Sequence, residues 1–468
     1  MARVFRNAGV SAVAVSGDTP EAERKEALRK LASGELNVVF SVDLFNEGVD
    51  VPAVDTLLLL RPTDSATLFL QQLGRGLRRH PSKAICTVLD FVGHHRREFR
   101  FDRRLRALLG GTRKHIERQV QEGFPFLPAG CHLELDPVAS EIILRNIREA
   151  VPARWHAKAA ELRAFASEER DLNLGEFLHE SGLELEDVYT GGRSWSDLIE
   201  AAQLPPLAAG PHEKTLRRAC GRLLHIDDAT RIAAFRRFVT ARAAPQLGSL
   251  EPRDQRLLRM LVASITGSVV DKHADLDAGC RLFFTHPQIL EEIKQLLDVL
   301  AQRMGHLGRP LHELPDVPLE LHARYTRVEI LAAFGVGEGA RVLPWQTGVF
   351  WADSVPADLL AFTLDKTKGQ FSPTTRYRDY AISSDLIHWE SQSVTRADSE
   401  TGLRYQHHAE QGSHVMLFAR HGVDDRSFYF LGPAKYVSHA SERPMSITWR
   451  LEHPLPGDLF ASFAAAVA

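Results

Sequence analysis

Short unbroken apolar runs, each separated by a polar-faced helical stretch, occupy the first ninety or so residues and restrict the fold more than any other feature. SAVAVSG, LNVVFSV, DTLLLL and AICTVLDFV have strand length, while EAERKEALRKLASG, closing at Gly34, and SATLFLQQLGRGLRR have helical spacing. Strands that are apolar on both faces need cover on both faces, which predicts a parallel sheet between layers of helix. Ligands of such sheets sit beyond the carboxyl ends of the strands. The turn Asn46-Glu47-Gly48-Val49-Asp50, which follows NVVFSV, is therefore expected near the arginines that end this region.

The stretch Ser41–Arg79 concentrates the chemistry. It joins a strand, a Gly-Val-Asp turn, a second strand and an Arg-rich helix start. The spacing Gln71-x-x-Gly74-Arg75-x-x-Arg78 predicts two guanidinium groups one helical turn apart on one face. A pair of that kind suits a triphosphate, because Arg is always charged and offers a planar fork of N–H donors to phosphate oxygens.

These residues resemble the second RecA-like lobe of a superfamily 2 helicase or translocase. SVDLFNEGVDVP is similar to motif V of that family, and QQLGRGLR matches the Gln-x-x-Gly-Arg-x-x-Arg pattern of motif VI. The resemblance implies that Arg75 and Arg78 are fingers for charge on the γ-phosphate, a role worth about 10³–10⁵ in rate where a finger acts in trans. It also implies that Gln71 and Gly74 help hold the nucleotide, and that Gly48 and Asp50 close the turn near the ribose. Many relatives carry a Thr that touches the nucleic-acid backbone where this chain has Val42, leaving Ser41 or Asp43 as the substitute. A complete helicase further needs a first lobe with Gly-Lys-Ser/Thr and Asp-Glu-x-His motifs. Neither string occurs in the chain. ATP and Mg²⁺ are thus expected as cofactors only together with a first lobe, encoded upstream or separately, and the chain alone is not expected to hydrolyse ATP.

Net charge is −3, so the distribution of charge says more than its sum. From His94 to Gln119 nine Arg/Lys stand against three acids, and Arg96, Arg97 and Arg100 open that run as a candidate phosphate-tracking surface. A solvated helix face that merely links domains is the competing reading. CHLELDP reads as a short strand and PVASEIILRNIREAV as a helix entered at Pro137. DLNLGEFLHESGLELEDVYTGGRSWSDLIEAAQL reads as a three-helix bundle broken at Gly191-Gly192, with a weak resemblance to helicase-associated helical repeats. Asp227-Asp228 reads as a helix cap rather than a metal pair. His225, His273 and His286 read as satisfied polar groups, and no metal ligand set is assigned. Four scattered cysteines without a CxxC pair fit a reduced, cytoplasmic chain. Arg3 and Arg6 precede AGVSAVAV, but that run is short and holds Gly and Ser. It reads as a helix tail feeding a strand, so that the chain begins within a domain.

After Gly308 the runs shorten, turns multiply and aromatics concentrate. VFWADS, DLLAFTLDK, YRDYAIS, HVMLFAR, SFYFLGPAKYVSH and MSITWRLEHP are strand candidates, entered by the helix ELHARYTRVEILAAFG. Trp345, Phe350, Trp351, Phe371, Tyr377, Tyr380 and Trp389 stand among Lys366, Lys368, Arg376 and Arg378, a mixture that suits an unstacked base. For any single ring, strand core is the plainer reading. HWESQS is denser in polar groups than a core strand should be, which makes Trp389 with Gln392 the first candidates for a base edge, beside Arg376.

SPTTRYRDYAISSDLIHWESQSVTRADSETGLRY and FLGPAKYVSHASERPMSITWRLEHPLP resemble the domain of unknown function that closes certain bacterial superfamily 2 helicases. Those proteins often carry a phospholipase-D-like nuclease at the other end, and several behave as modification-dependent, type IV restriction systems. The resemblance implies DNA as a partner, methylated in some members, together with a first helicase lobe and a nuclease. No nuclease is assigned to the chain itself: His156-Ala-Lys158 is followed by AAELR, and Asp365-x-x-Lys368 is a lone acid–Lys pair. A DNA reader without catalysis and a truncated remnant stay open beside the motor. The expected fold is multidomain, α/β plus α plus α+β. It comprises a partial RecA-like parallel sheet over residues 1–93, a basic helical connector over 94–308 and a β-rich DNA-recognition domain over 309–468.

Overall fold

A computed structural model describes residues 1–42, 51–61, 63, 66–81, 83–91, 101–110, 113–124, 127, 130–149, 154–166, 172–304, 308–364 and 379–467. It divides into two compact units, Met1–Pro152 and Ala153–Ala468.

The first unit runs α1 (Ala2–Asn7), β1 (Ala12–Val15), α2 (Glu21–Ser33), β2 (Val38–Ser41), β3 (Thr56–Leu59), α3 (Ala66–Gly76), β4 (Thr87–Asp90), α4 (Phe101–Leu109), α5 (Arg113–Glu122) and α6 (Pro137–Glu149). Glu21 and Glu23 sit in the first turn of α2, where the helix dipole favours acids, and Gly34 ends it in the left-handed region at φ +79°. Strand β1 pairs in parallel with β2, Ala12 opposite Val38, and β3 pairs in parallel with β4, Thr56 opposite Thr87. The parallel sheet expected from the apolar runs is thus present, among the described residues, as two parallel pairs. Leu89 of β4 is 47% exposed.

Helices α4 to α6 share a small core of Phe101, Leu105, Ile116, Val120, Phe124, Ile143 and Ile147. The strand expected at CHLELDP is absent; residues 131–136 form no helix and no strand. Asp136 caps α6 instead, its carboxylate accepting the N–H groups of Val138 and Ala139, each at 3.0 Å. Pro137 at the first helical position suits that start, since its missing N–H is one the helix would leave unpaired.

The second unit opens with α7 (Trp155–Ala166), α8 (Leu174–Ser181), α9 (Leu185–Val188), α10 (Trp195–Ala201), α11 (Glu213–Cys220), α12 (Ala229–Val239), α13 (Pro252–Thr266), α14 (Leu276–Phe284) and α15 (Pro287–Arg303). Gly191 and Gly192, both at positive φ, make the expected break before α10. The three-helix stretch α8–α10 does not close on itself, because its short helices cannot bury their apolar faces alone; α8 and α10 pack on α15. Ile289, Ile293, Leu296 and Leu297 of α15 have no exposed surface. Three further side chains of α15 finish the ends of its neighbours. Gln295 accepts the Leu174 N–H of α8 at 2.9 Å, and Gln288 accepts that of Leu207 at 2.7 Å. Ser194 and Asp197 form a capping box at the start of α10, and Glu292 adds to it by accepting the N–H groups of Trp195 and Ser196 at 3.2 and 3.0 Å.

There follow β5 (Arg309–Pro310), β6 (Glu320–Leu321), β7 (Arg324–Thr326), α16 (Arg327–Ala333), β8 (Val349–Ala352), β9 (Ala357–Thr363), β10 (Tyr380–Ala381), β11 (Leu386–Glu390), α17 (Glu400–His407), β12 (His414–Arg420), β13 (Ser427–Ala440), β14 (Ser446–Leu451) and α18 (Gly457–Val467). One mixed sheet has the order β10-β11-β14-β13-β12-β9-β8, with β7 also on β13. Strand β13 is long enough to pair with β12 and β7 through its first half and with β14 through its second. Gly432, at φ +97°, lies where these halves meet, and a Cβ there would stand 2.5 Å from Leu321 Cδ2. Helix α13 packs on α16, so the boundary expected near residue 308 runs within this unit.

Candidate nucleotide and nucleic-acid sites

Helix α3 buries Phe69, Leu73 and Gly76, spaced by one and two turns, and this stripe decides what the opposite side can present. Gly76 is required for the packing. A Cβ there would come 2.7 Å from Leu57 Cδ1 on β3 and 2.8 Å from Cys86 Sγ ahead of β4. Burial raises the Cys86 thiol above its ordinary range, with the Lys83 charge opposing. Gln71 and Gly74 face outward on the exposed side of α3, and a Cβ on Gly74 would meet open space.

The two arginines do not both lie on the helix, as the spacing had suggested, nor do they start it. Arg75 is half-buried in the last turn, and Arg78 is exposed two residues beyond the helix end at Gly76. The tight contact at Gly76 brings α3 onto β3, and the chain then turns away toward β4. Arg75 and Arg78 therefore close α3, within four residues of one another.

Lys83, which sequence reasoning passed over, holds this end in place. Its ammonium donates to the carbonyls of Pro52, Val54 and Gly76 at 2.9, 3.0 and 2.7 Å. The first two belong to the segment leaving the Gly-Val-Asp turn, and the third is the last carbonyl of α3. A cation at a helix C-terminus is favoured by the dipole, and its three donors suit three acceptors. The only signal in sequence was a lysine seven residues after a helix-closing glycine, which carries no such information.

On the other flank Arg104 of α4 is 3% exposed and pairs with Asp90 at the end of β4, at 2.6 Å. Its guanidinium lies 4.1 Å from the Phe69 ring centroid on α3. At this position the basic run contributes packing rather than a phosphate contact. Gly48, Asp50, Asp43, Arg96, Arg97, Arg100 and Arg376 lie outside the described residues, as do Lys366, Lys368, Phe371, Tyr377 and Arg378. Val42, just beyond β2, is 64% exposed.

The candidate base-edge pair in the second unit separates. Trp389 is 3% exposed, with its ring centroid 5.7 Å from Tyr405 and 6.5 Å from Trp449 in the main core. HWESQS is polar because β11 alternates: Ile387 and Trp389 point into the core, while His388 and Glu390 point outward. A buried indole in that setting is core, and a base could stack on it only if the core opened. Gln392 is half-buried just beyond the strand.

The acids and histidines between the sheets are structural. Asp228 caps α12 by accepting the Arg231 N–H at 2.7 Å. Glu329 accepts from Arg231 Nη1 at 2.8 Å and lies 2.6 Å from His225 Nε2. His286 is hydrogen-bonded through Nδ1 to the Leu282 carbonyl at 2.8 Å. Among the described residues no three His, Cys, Asp or Glu side chains gather as metal ligands. No helix among them is long and apolar enough to cross a membrane.

Residues 1–80 match the helicase conserved C-terminal domain, and residues 319–463 match a domain of unknown function, DUF3427. Over 91 residues the chain is 41% identical to IRC3 of Saccharomyces cerevisiae, named as an ATP-dependent helicase, covering 19% of this chain and 13% of that one. Over 92 residues it is 34% identical to the DNA 3'-5' translocase XPB2 of Sulfurisphaera tokodaii, covering 20% of each. The matched stretch thus spans a fifth or less of these relatives. Among solved structures, the DNA-bound ATP-dependent Type ISP restriction-modification enzyme LlaBIII aligns at 14% identity and a TM-score of 0.22. That alignment covers 66% of this chain and 22% of that one, a likeness too slight to carry a shared fold.

Proposed function

We propose that the chain is the second-lobe and DNA-reading part of an ATP-dependent DNA helicase or translocase that serves a cytoplasmic restriction system. The observation that carries this reading is the helicase C-terminal domain match over residues 1–80, with Gln71, Gly74, Arg75 and Arg78 at the end of α3 and Lys83 tying that end to the Gly-Val-Asp segment. The donor chemistry fits a nucleotide: two guanidinium groups close together are suited to the terminal phosphate of ATP. Bound ATP would supply the phosphoanhydride and Mg²⁺ would neutralise its oxygens, both held chiefly by a first lobe. In this chain Arg75 and Arg78 orient and offset charge on the γ-phosphate, while Gln71, Gly48 and Asp50 hold the nucleotide and Asp43 meets the DNA. Arg96, Arg97, Arg100 and Arg376 track its backbone. Four unpaired cysteines, one of them exposed, favour a reducing compartment.

The test joins the chain to a first lobe bearing Gly-Lys-Thr and Asp-Glu-x-His motifs and measures DNA-stimulated phosphate release. Arg75→Ala or Arg78→Ala is expected to lower turnover by about 10³ or more. Normal turnover in both variants would sink the assignment.

A second reading, a DNA reader that acts without ATP, is favoured by the independent core of the second unit and the DUF3427 match inside it. It predicts salt-sensitive binding of DNA by the chain with no nucleotide present. Methylated cytosine is the finer proposal for what is read, and equal affinity for methylated and unmethylated duplexes would remove it.

A further inference from the structure

Four arginines meet at one corner of the second unit. Arg222 follows α11, Arg327 opens α16, Arg420 closes β12 and Arg426 precedes β13. The guanidinium of Arg327 lies 5.4 Å from the centroids of both Trp345 and Phe428, and that of Arg420 lies 4.8 Å from the same Phe428 ring. The antiparallel register sets Ser427 opposite Thr326, and Arg426 and Arg327 are the next residues along the chain from that last pair.

These side chains are held by neutral acceptors. Arg327 Nη1 donates to the Trp345 carbonyl at 3.1 Å, Arg222 Nη1 to that of Ser264 at 3.0 Å, and Arg420 to Thr363 Oγ1 and the Asp425 carbonyl at 2.8 and 2.5 Å. Among the described residues none of the four forms an ion pair, and both Arg327 Nε and the Trp345 indole N–H are buried without an acceptor. Asp424 and Asp425 stand in the same turn and their charges partly offset that of Arg420, which burial still holds below its ordinary range; Asp425 Oδ2 also accepts the Gly422 N–H at 3.1 Å. Burial and then the Arg420 charge push Arg327 below the usual guanidinium range, and burial and then Arg426 do the same to Arg222. Like charges gathered in a partly desolvated place are costly unless an anion relieves them, and such costs concentrate at functional sites.

We propose that this corner seats the phosphodiester backbone of duplex DNA, with Arg327 and Arg420 forking onto one phosphate and Arg426 and Arg222 meeting its neighbour. The aromatic rings keep the two forks oriented. This inference rests on the reading of the second unit as a DNA-binding module and names the surface that does the binding.

The test titrates a fluorescein-labelled duplex oligonucleotide with the full 468-residue chain at several KCl concentrations and follows anisotropy. Arg426→Gln and Arg327→Gln are each expected to weaken binding to about a tenth and to lower the slope of log K against log[salt] by about one. Arg426 is exposed, so Arg426→Gln should leave the thermal midpoint unchanged and separate lost binding from lost folding. Arg327→Lys keeps the charge without the fork; a retained slope with weakened affinity supports the seat. If wild type binds and the Gln variants bind equally well with the same slope, the seat is wrong while the DNA-binding reading stands. If wild type does not bind duplex DNA, that reading fails and the seat falls with it.

Discussion

Lys83 shows how much a single side chain can organise here. Its ammonium joins the segment leaving the Gly-Val-Asp turn to the last carbonyl of α3, so it governs the separation of two sequence motifs without belonging to either. Lys83→Met keeps the hydrocarbon stem and removes all three donors. Hydrogen bonds to a charged group contribute about 1.5–3 kcal/mol each when made, so local opening should become much easier. Hydrogen exchange of amides in residues 51–54 and 76–80 is expected to quicken at least tenfold, while amides of β1 and β2 keep their protection; unchanged exchange near Gly76 would refute the clamp. Motif spacing singled out Gln71, Gly74, Arg75 and Arg78 as candidates, because periodicity is local. It misread where the helix ends, since that depends on how closely Gly76 meets Leu57 and Cys86. Trp389 was misread for a similar reason: polar neighbours along a strand describe the opposite face, not the one the ring occupies.

Among the elements, the joint between α12 and α16 buries a cluster of charge. Arg231, Asp228 and Glu329 have no exposed surface, and the Arg231 guanidinium lies 3.9 Å from the Tyr325 ring centroid. Thr326 caps α16 through a box with Glu329, so one carboxylate serves a helix start and an ion pair together. Burial alone would raise Glu329, but His225 and Arg231 outweigh it and hold the carboxyl well below its ordinary range. A carboxyl depressed in the folded state stabilises above its unfolded value of 4.5, and that contribution fades as pH falls toward the folded value. Glu329→Gln leaves Arg231 short of a partner and is expected to cost about 3–5 kcal/mol at pH 7 in urea unfolding. Below pH 4.5 the variant should lose stability less steeply than wild type, having no such carboxyl to protonate. Parallel slopes would exclude Glu329 as the titrating group. The Asp227-Asp228 cap was legible because capping is local. The partner on α16 was not, standing 98 residues from Arg231.

At the scale of the molecule, the helicase C-terminal match lies within Met1–Pro152 and the DUF3427 match within Ala153–Ala468. Residues 153–468 hold their own sheet core, so that fragment is expected to unfold in one cooperative transition at the midpoint of the corresponding step in the full chain. Calorimetry of both checks this, and a fragment lacking a transition would show that the second unit depends on the first. Helix α15 bears on the order in which such a chain assembles. Its Gln295, Glu292 and Gln288 cap or hold backbone N–H groups 121, 97 and 81 residues earlier. During synthesis α8 and α10 therefore leave the ribosome with only their local caps at Asn173 and Ser194 and with exposed apolar faces, and they wait several seconds, at about 5–20 residues per second, for α15 to follow. That interval is when the nascent chain most needs protection from aggregation, and a stop codon just before Pro287 would make the exposure permanent.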